Sequence, residues 1–175
     1  MSVKDLKETM AEPVRLREAT AEDMPAVSGL LKAFLPFVEE PGLHEMVTTE
    51  DLIRDGFGDR RYFTILLLEL VKDGEAALAI GYTMYFYKYS YGGRSLYMEA
   101  IFVLPEHHRK GYGKVIMRHL AKLALENHCR SLTWQGVLDR PSANFYRSLG
   151  AKDRSDVSDF QLDVEGMMGL IEGAT

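Results

Sequence analysis

The residues best suited to chemistry stand together at 103–114, VLPEHHRKGYGK. An apolar run ends there, a glycine-containing turn follows, and a helical pattern begins. The first N–H groups of a helix have no partner within it, and the helix dipole adds positive potential, so such a start binds anions. Gly111 and Gly113 carry no Cβ to hold a ligand off the backbone. Arg109, Lys110 and Lys114 add cationic side chains at the same place. Residues 106–122 hold five Lys/Arg and a single acidic residue, Glu106, in a chain whose formal net charge is -5. The natural ligand of that contrast is a phosphate or pyrophosphate; the alternative is a solvated helix start whose glycines serve the turn. Neither the P-loop spacing nor the Gly-x-Gly-x-x-Gly dinucleotide pattern is present. His107 and His108 are adjacent, so they share no face of a helix or strand, and no clustered Cys/His accompanies them. No metal is expected. Cys129 falls at the end of the long helix and reads as a buried structural thiol rather than a nucleophile.

The elements that must carry this loop follow from periodicity. Val14 and Leu16 alternate with Arg15 and Arg17, as in a strand with one buried face. Thr20 with Asp23, and Thr48 with Asp51, are Ser/Thr-x-x-Asp/Glu capping boxes. The first opens a helix over 24–37, closed by Pro36 and Pro41; the second opens a short helix ending near Gly56 and Gly58. Strands are expected at 62–71, 76–89 and 95–103, with hairpin turns at Asp73-Gly74 and Gly92-Gly93. From Gly111 to His128 the period becomes helical, with Met117, Leu120, Ala121 and Ala124 on one face and Lys114, Arg118 and Lys122 on the other. A strand at 132–138, a short helix from Pro141 to Gly150 and a strand at 160–164 complete the order β-α-α-β-β-β-α-β-α-β. That order predicts an α/β (α+β) fold with a mixed sheet and helices on both faces.

Composition narrows the function. With 175 residues the chain is expected to form a flexible segment at 1–12 and a single domain over 13–175. Its 21 Lys+Arg against 26 Asp+Glu argue against a general nucleic-acid binder. One cysteine excludes an intrachain disulfide framework and suits a reducing compartment. The start carries no apolar signal core and no run is long enough to span a membrane, so a cytoplasmic protein without membrane partners is expected. The apolar tail at Met167, Met168, Leu170 and Ile171 either caps the core or crosses a dimer interface.

Residues 108–113, HRKGYG, resemble the acetyl-CoA signature Gln/Arg-x-x-Gly-x-Gly/Ala of the GNAT superfamily of N-acetyltransferases, in the expected place between a strand and a long helix. Residues 139–151, DRPSANFYRSLGA, resemble that family's second motif, Asn-x-x-Ala/Ser-x-x-Phe/Leu-Tyr-x-x-x-Gly-Phe/Ala. Residues 50–58 (EDLIRDGFG), 96–103 (LYMEAIFV) and 142–146 (SANFY) are similar to its spermidine/spermine (diamine, thialysine) branch. The resemblance covers roughly 14–164. It implies a mostly antiparallel sheet of six to seven strands, acetyl-CoA as co-substrate without a metal, and direct transfer to a small primary amine in a ternary complex. It implies that the backbone of Ile101, Phe102 and Val103 holds the pantetheine and that residues from His108 through Arg109, Lys110, Gly111, Tyr112, Gly113 and Lys114 hold the pyrophosphate. Asp139, Ser142 and Asn144 fall at further cofactor positions. Tyr146 matches the general acid, since a phenol with a pKa near ~10 is protonated at neutral pH. Glu99 matches the carboxylate that draws a proton from the incoming ammonium, directly or through water. A homodimer is expected by the same analogy.

The sequence departs from that branch at several positions. His108 replaces the opening Gln/Arg, and Asp139 replaces an Asn whose amide could donate. Ala100 stands where the branch has a second acid, and Phe37-Val38 where it has Tyr-Glu. An aromatic near the last strand becomes Val157. Glu39, Glu40 and Glu45 lie nearby as substitutes, with Glu99, Phe37 and Glu39 the expected substrate contacts. Each loss removes an anchor for a long polycation, so a diamine, a lysine-like amino acid or an arylalkylamine is an equal expectation. A protein-lysine acetyltransferase and a non-catalytic acyl-CoA-binding module are the alternatives; the presence of both Glu99 and Tyr146 favours an enzyme.

Overall fold

A computed structural model of the chain describes residues 13–38, 47–72, 74–136, 140–153 and 167. It divides into two compact units, Met1–Gln135 and Gly136–Thr175. The first unit contains β1 (Val14–Glu18), α1 (Met24–Phe34), α2 (Thr49–Phe57), β2 (Thr64–Leu70), β3 (Leu78–Ser90), β4 (Gly93–Val103), α3 (Tyr112–Glu126) and β5 (Ser131–Thr133). The second contains α4 (Pro141–Ser148).

The five strands lie in the order β1-β2-β3-β4-β5. The first three pairings are antiparallel and β4 pairs with β5 in parallel. Five strands are present among the described residues where six to seven were expected; the strand expected at 160–164 lies outside those residues. Of the strand expected at 132–138, pairing is seen at Ser131–Thr133, residues 134–136 are not in a strand, and 137–138 lie outside the described residues.

Local sequence explains most boundaries. Both capping boxes form: Thr20 N–H donates to Asp23 Oδ2 at 2.7 Å, and Asp51 N–H donates to Thr48 Oγ1 at 3.1 Å. The first opens a single 3-10 turn, Ala21–Asp23, that leads into α1. The helix expected to reach Phe37 stops at Phe34, and Pro36 sits in a 3-10 turn, Leu35–Phe37. Leu35 itself keeps helical dihedrals, but a proline donates no N–H and its ring clashes with the carbonyl four residues earlier, so the tighter turn is the natural ending. Gly74 and Gly93 take φ values of 80° and 97° at the two hairpin turns, conformations that cost a residue with a Cβ.

The sheet buries both faces. Ile65, Leu67, Tyr82 and Phe102 share one face, packed with Met24, Val27 and Leu30 of α1 and Leu52 of α2. Alternation puts Leu66, Leu68, Thr83, Leu96 and Met98 on the other, all buried. Helix α3 packs along β4 and contributes Ile116, Met117, Leu120 and Ala124 to the interior. Gly81 is required where β3 meets the end of β4: a Cβ there would stand 2.5 Å from the Phe102 carbonyl oxygen. Among the described residues no helix is long and apolar enough to cross a membrane.

Candidate active site

The loop expected to bind an anion is built as its residue types require. After β4, Leu104 N–H returns to Ile80 O at 2.9 Å, and a 3-10 turn, Pro105–His107, follows. Arg109 (φ 61°) and Gly111 (φ 82°) then take left-handed conformations that swing the chain into α3. Gly111 is the N-cap and offers no side chain to compete for the first-turn N–H groups. A Cβ built on it would meet nothing within 4 Å, so glycine is needed there for its dihedral and the space above it is open. Arg109 and Lys114 are exposed and form no ion pair among the described residues. The ring of Tyr112 is buried, 1% exposed and 6.5 Å from the His107 ring. What Tyr112 brings to the loop is therefore its backbone. His108 does not reach outward as an arginine would; its Nε2 donates to the Val103 carbonyl at 2.6 Å and ties the loop to the end of β4. Because a carbonyl only accepts, the proton is on Nε2.

The second feature is an open strand edge. Hydrogen-bond direction alternates along an antiparallel strand. With Leu104 N–H turned to β3, Ile101 and Val103 turn their backbone groups to the opposite side. There β5 pairs only with Ser95, Leu96 and Tyr97. From Met98 to Val103 that edge has no partner strand among the described residues. Of the three positions expected to hold pantetheine, Ile101 and the Val103 N–H open onto this edge, the Val103 carbonyl is taken by His108, and Phe102 turns to Tyr82 of β3.

The third feature is a bulge. Met84 opposes Ala100 and Tyr85 opposes Met98, leaving Glu99 as the extra residue of β4. A bulge kinks the strand and re-aims its side chain, and Glu99 is exposed. The phenol of Tyr82 is buried without a hydrogen-bond partner among the described residues. Burial first, and the negative charge of Glu99 second, push its pKa well above the ordinary range. Phe102 lies beside it, with Tyr82 at 6.2 Å, Phe34 at 5.4 Å and Phe37 at 6.0 Å between ring centres. Sequence reading singled out Glu99 and Phe37 and did not single out Tyr82 or Phe34, which the structure places in the same neighbourhood. The available signal was the phenol itself, set within the apolar run of β3.

Tyr146 lies in the second unit, on α4, half-buried, and burial raises its pKa above 10. Its carbonyl accepts from Leu149 N–H at 3.0 Å and Ala151 N–H at 3.2 Å, closing the helix ahead of Gly150. Ser142 and Asn144 are exposed on the same helix, and Asn144 Oδ1 accepts from Arg147 at 3.3 Å. Asp139, Glu39, Glu40, Glu45 and Val157 lie outside the described residues. An open cavity of about 560 Å³ is lined by Arg17, Asp23, Glu69, Leu78 and Leu104. Its charges are consumed by each other, Arg17 bonding both Asp23 and Glu69, and none of the expected site residues lines it.

A cationic helix start joined to a strand edge and a bulged carboxylate is the arrangement expected of an acyl-CoA-dependent transferase. The acetyltransferase (GNAT) family model matches residues 26–151, and the chain belongs to that family. It is an acetyltransferase with acetyl-CoA as co-substrate. The mouse thialysine N-epsilon-acetyltransferase is 30% identical over 166 residues, covering 89% of this chain and 96% of that protein. The human spermidine/spermine N(1)-acetyltransferase-like protein 1 is 29% identical over 161 residues, which are 90% of this chain and 23% of that protein. Among solved structures, an aminoglycoside N-acetyltransferase in complex with CoA superposes with a TM-score of 0.67 at 17% identity, covering 87% of this chain and 96% of that one. A V. cholerae integron cassette protein reaches 0.70 at 19% identity, covering 91% and 98%.

Proposed function

We propose that the chain transfers the acetyl group of acetyl-CoA directly to a small primary amine in a ternary complex. The observation that carries this reading is the bulge that turns Glu99 out of β4 beside the open edge of Ile101 and Val103. Acetyl-CoA supplies a thioester whose carbonyl carbon takes the amine and whose sulfur leaves as a thiolate. Backbone N–H groups from Arg109 to Gly113 hold the pyrophosphate, the Lys114 N–H being bonded to the Gly111 carbonyl at 3.0 Å, with the Arg109 and Lys114 side chains adding charge. Ile101 and Val103 receive the pantetheine as an added strand, and Ile101 N–H faces the thioester oxygen, where negative charge develops. Glu99 takes a proton from the ammonium, directly or through water, leaving a neutral nitrogen to form the C–N bond. Tyr146 gives its proton to the departing sulfur, a role that its burial favours by keeping the phenol protonated.

The amine is small or carries an apolar tail. The rings of Phe34, Phe37 and Phe102 gather close to Glu99's neighbour Tyr82, and Ala100 and Val38 offer no charge to a remote ammonium. The name of the thialysine relatives points the same way, thialysine being a single lysine-like amine, whereas the name of the spermidine/spermine relative points to polyamines. The test is thiol release from acetyl-CoA across thialysine, lysine, putrescine, phenethylamine, spermidine and spermine. Short amines are expected level with, or ahead of, spermidine and spermine in kcat/KM, with Glu99→Gln depressing all of them. Acetyl-CoA binding without thiol release for any amine would overturn the enzyme reading in favour of a binding module. Spermine ahead by orders of magnitude would overturn the substrate class.

A further inference from the structure

We propose that Thr83 is a positioning residue for acetyl transfer, acting through the Ala100–Ile101 peptide on the donor that meets the thioester oxygen. This rests on the acetyl-transfer reading above. Thr83 is fully buried in β3, and its Oγ1 donates to the Ala100 carbonyl at 2.8 Å. Its position in the register is opposite Ile101, next to the step where the ladder shifts around Glu99. A trans peptide is planar, so the Ala100 carbonyl and the Ile101 N–H point in opposite directions from one rigid plane. Drawing the carbonyl toward β3 therefore aims the Ile101 N–H at the open edge of β4. Hydrogen bonding at the carbonyl also polarises the amide and strengthens its N–H as a donor. A bulge disrupts the ladder locally, and this plane lies directly beside it. The hydroxyl thus fixes the peptide that carries the proposed thioester donor, one residue after Glu99. Packing alone does not call for it, because valine has nearly the same shape and a high strand preference.

The experiment compares the parent protein with Thr83→Val and Thr83→Ser, by calorimetry with acetyl-CoA and by steady-state turnover with a saturating amine. Removing an oxyanion donor outright costs about 10²–10³ in kcat; Thr83→Val leaves the donor in place but unsupported, so a fall of about tenfold is expected. The Kd for acetyl-CoA should stay within about threefold, and Thr83→Ser should restore most of kcat. If Thr83→Val does not fold, Thr83→Ala against Thr83→Ser makes the same comparison. The Ile101 amide proton, followed by NMR as acetyl-CoA is added, reads the donor without turnover: it should move downfield in the parent and in Thr83→Ser, and less in the variant lacking the hydroxyl. Parent activity with unchanged kcat in Thr83→Val would overturn this inference alone. A parent that releases no thiol with any amine would overturn the acetyl-transfer reading, and an Ile101 shift indifferent to the hydroxyl would then overturn this one as well.

Discussion

Replacing Gly111 tests the pyrophosphate site with its steric and electrostatic parts separated. A Cβ at Gly111 meets nothing within 4 Å, so substitution costs only the left-handed dihedral, φ 82°. That penalty is about 1–2 kcal/mol for an ordinary residue and smaller for Asn and Asp, whose side chains bond locally in this conformation. Gly111→Asn and Gly111→Asp should therefore each lower Tm by a few degrees, roughly 2–4 °C per kcal/mol for a chain of this size. Asp should be the milder of the two without ligand, because a negative charge at a helix N-terminus is favourable. Binding reverses the order. A carboxylate ~6 Å from one phosphate charge, at an effective dielectric between ~20 and 80, is repelled by about 1–3 kcal/mol. That is roughly a five- to hundredfold weaker Kd for acetyl-CoA in Gly111→Asp than in Gly111→Asn. Calorimetry at two salt concentrations provides the check, and the gap between the two variants should narrow as salt rises. Equal Kd values for Asn and Asp at low salt would place the pyrophosphate elsewhere and refute the reasoning.

Tyr146→Phe keeps the ring and deletes the proton, so single-turnover thiol release should slow by about 10²–10⁴ while the Kd for acetyl-CoA barely moves. Since burial raises this phenol, loss of activity through its ionisation should appear only above pH 10; an unchanged single-turnover rate would mean another group protonates the sulfur. At acid pH the sensitive point is the cluster in which Arg15 and Arg17 bond Glu69, and Arg17 also bonds Asp23 at 2.7 Å. Burial works to raise the Glu69 pKa, but the two guanidiniums outweigh it and leave it lowered. Hydrogen bonding to Arg17 holds Asp23 well below its ordinary 3.8. Lowered carboxylate values stabilise the fold above the ordinary pKa, and that stability is lost as pH falls through the lowered one. Tm should thus drop as pH goes below about 4.5, the ordinary Glu value. The drop should be shallower in Glu69→Gln measured by thermal melts across pH, and parallel curves would remove this cluster as the cause.

Local signals in the sequence determined much of this protein. Thr20/Asp23 and Thr48/Asp51 marked helix starts that form with the expected bonds. The glycines at 74 and 93 marked turns that need positive φ. The change of period at Gly111 marked the cationic helix start, because dihedral preference and amphipathic spacing are carried by residues within a few positions of one another. Tertiary structure alone decided the rest. Glu99 is a bulge only because β3 and β4 slip by one residue between Met84 and Tyr85, which is a property of the pair and not of either strand. Among the described residues the edge at Ile101 has no partner strand because β5, some 30 residues later, pairs no further than Thr133. His108 could be read in sequence only as a weak match to a phosphate ligand, whereas the folded loop turns its ring onto the Val103 carbonyl. The same holds for Thr83 and Tyr82, whose hydroxyls look alike in the chain. Pleating sends them to opposite faces, one bonded to Ala100 and the other buried among phenylalanines with no hydrogen-bond partner among the described residues. Register, edges and hydrogen-bond partners depend on which distant backbone arrives alongside, and only the assembled sheet specifies that.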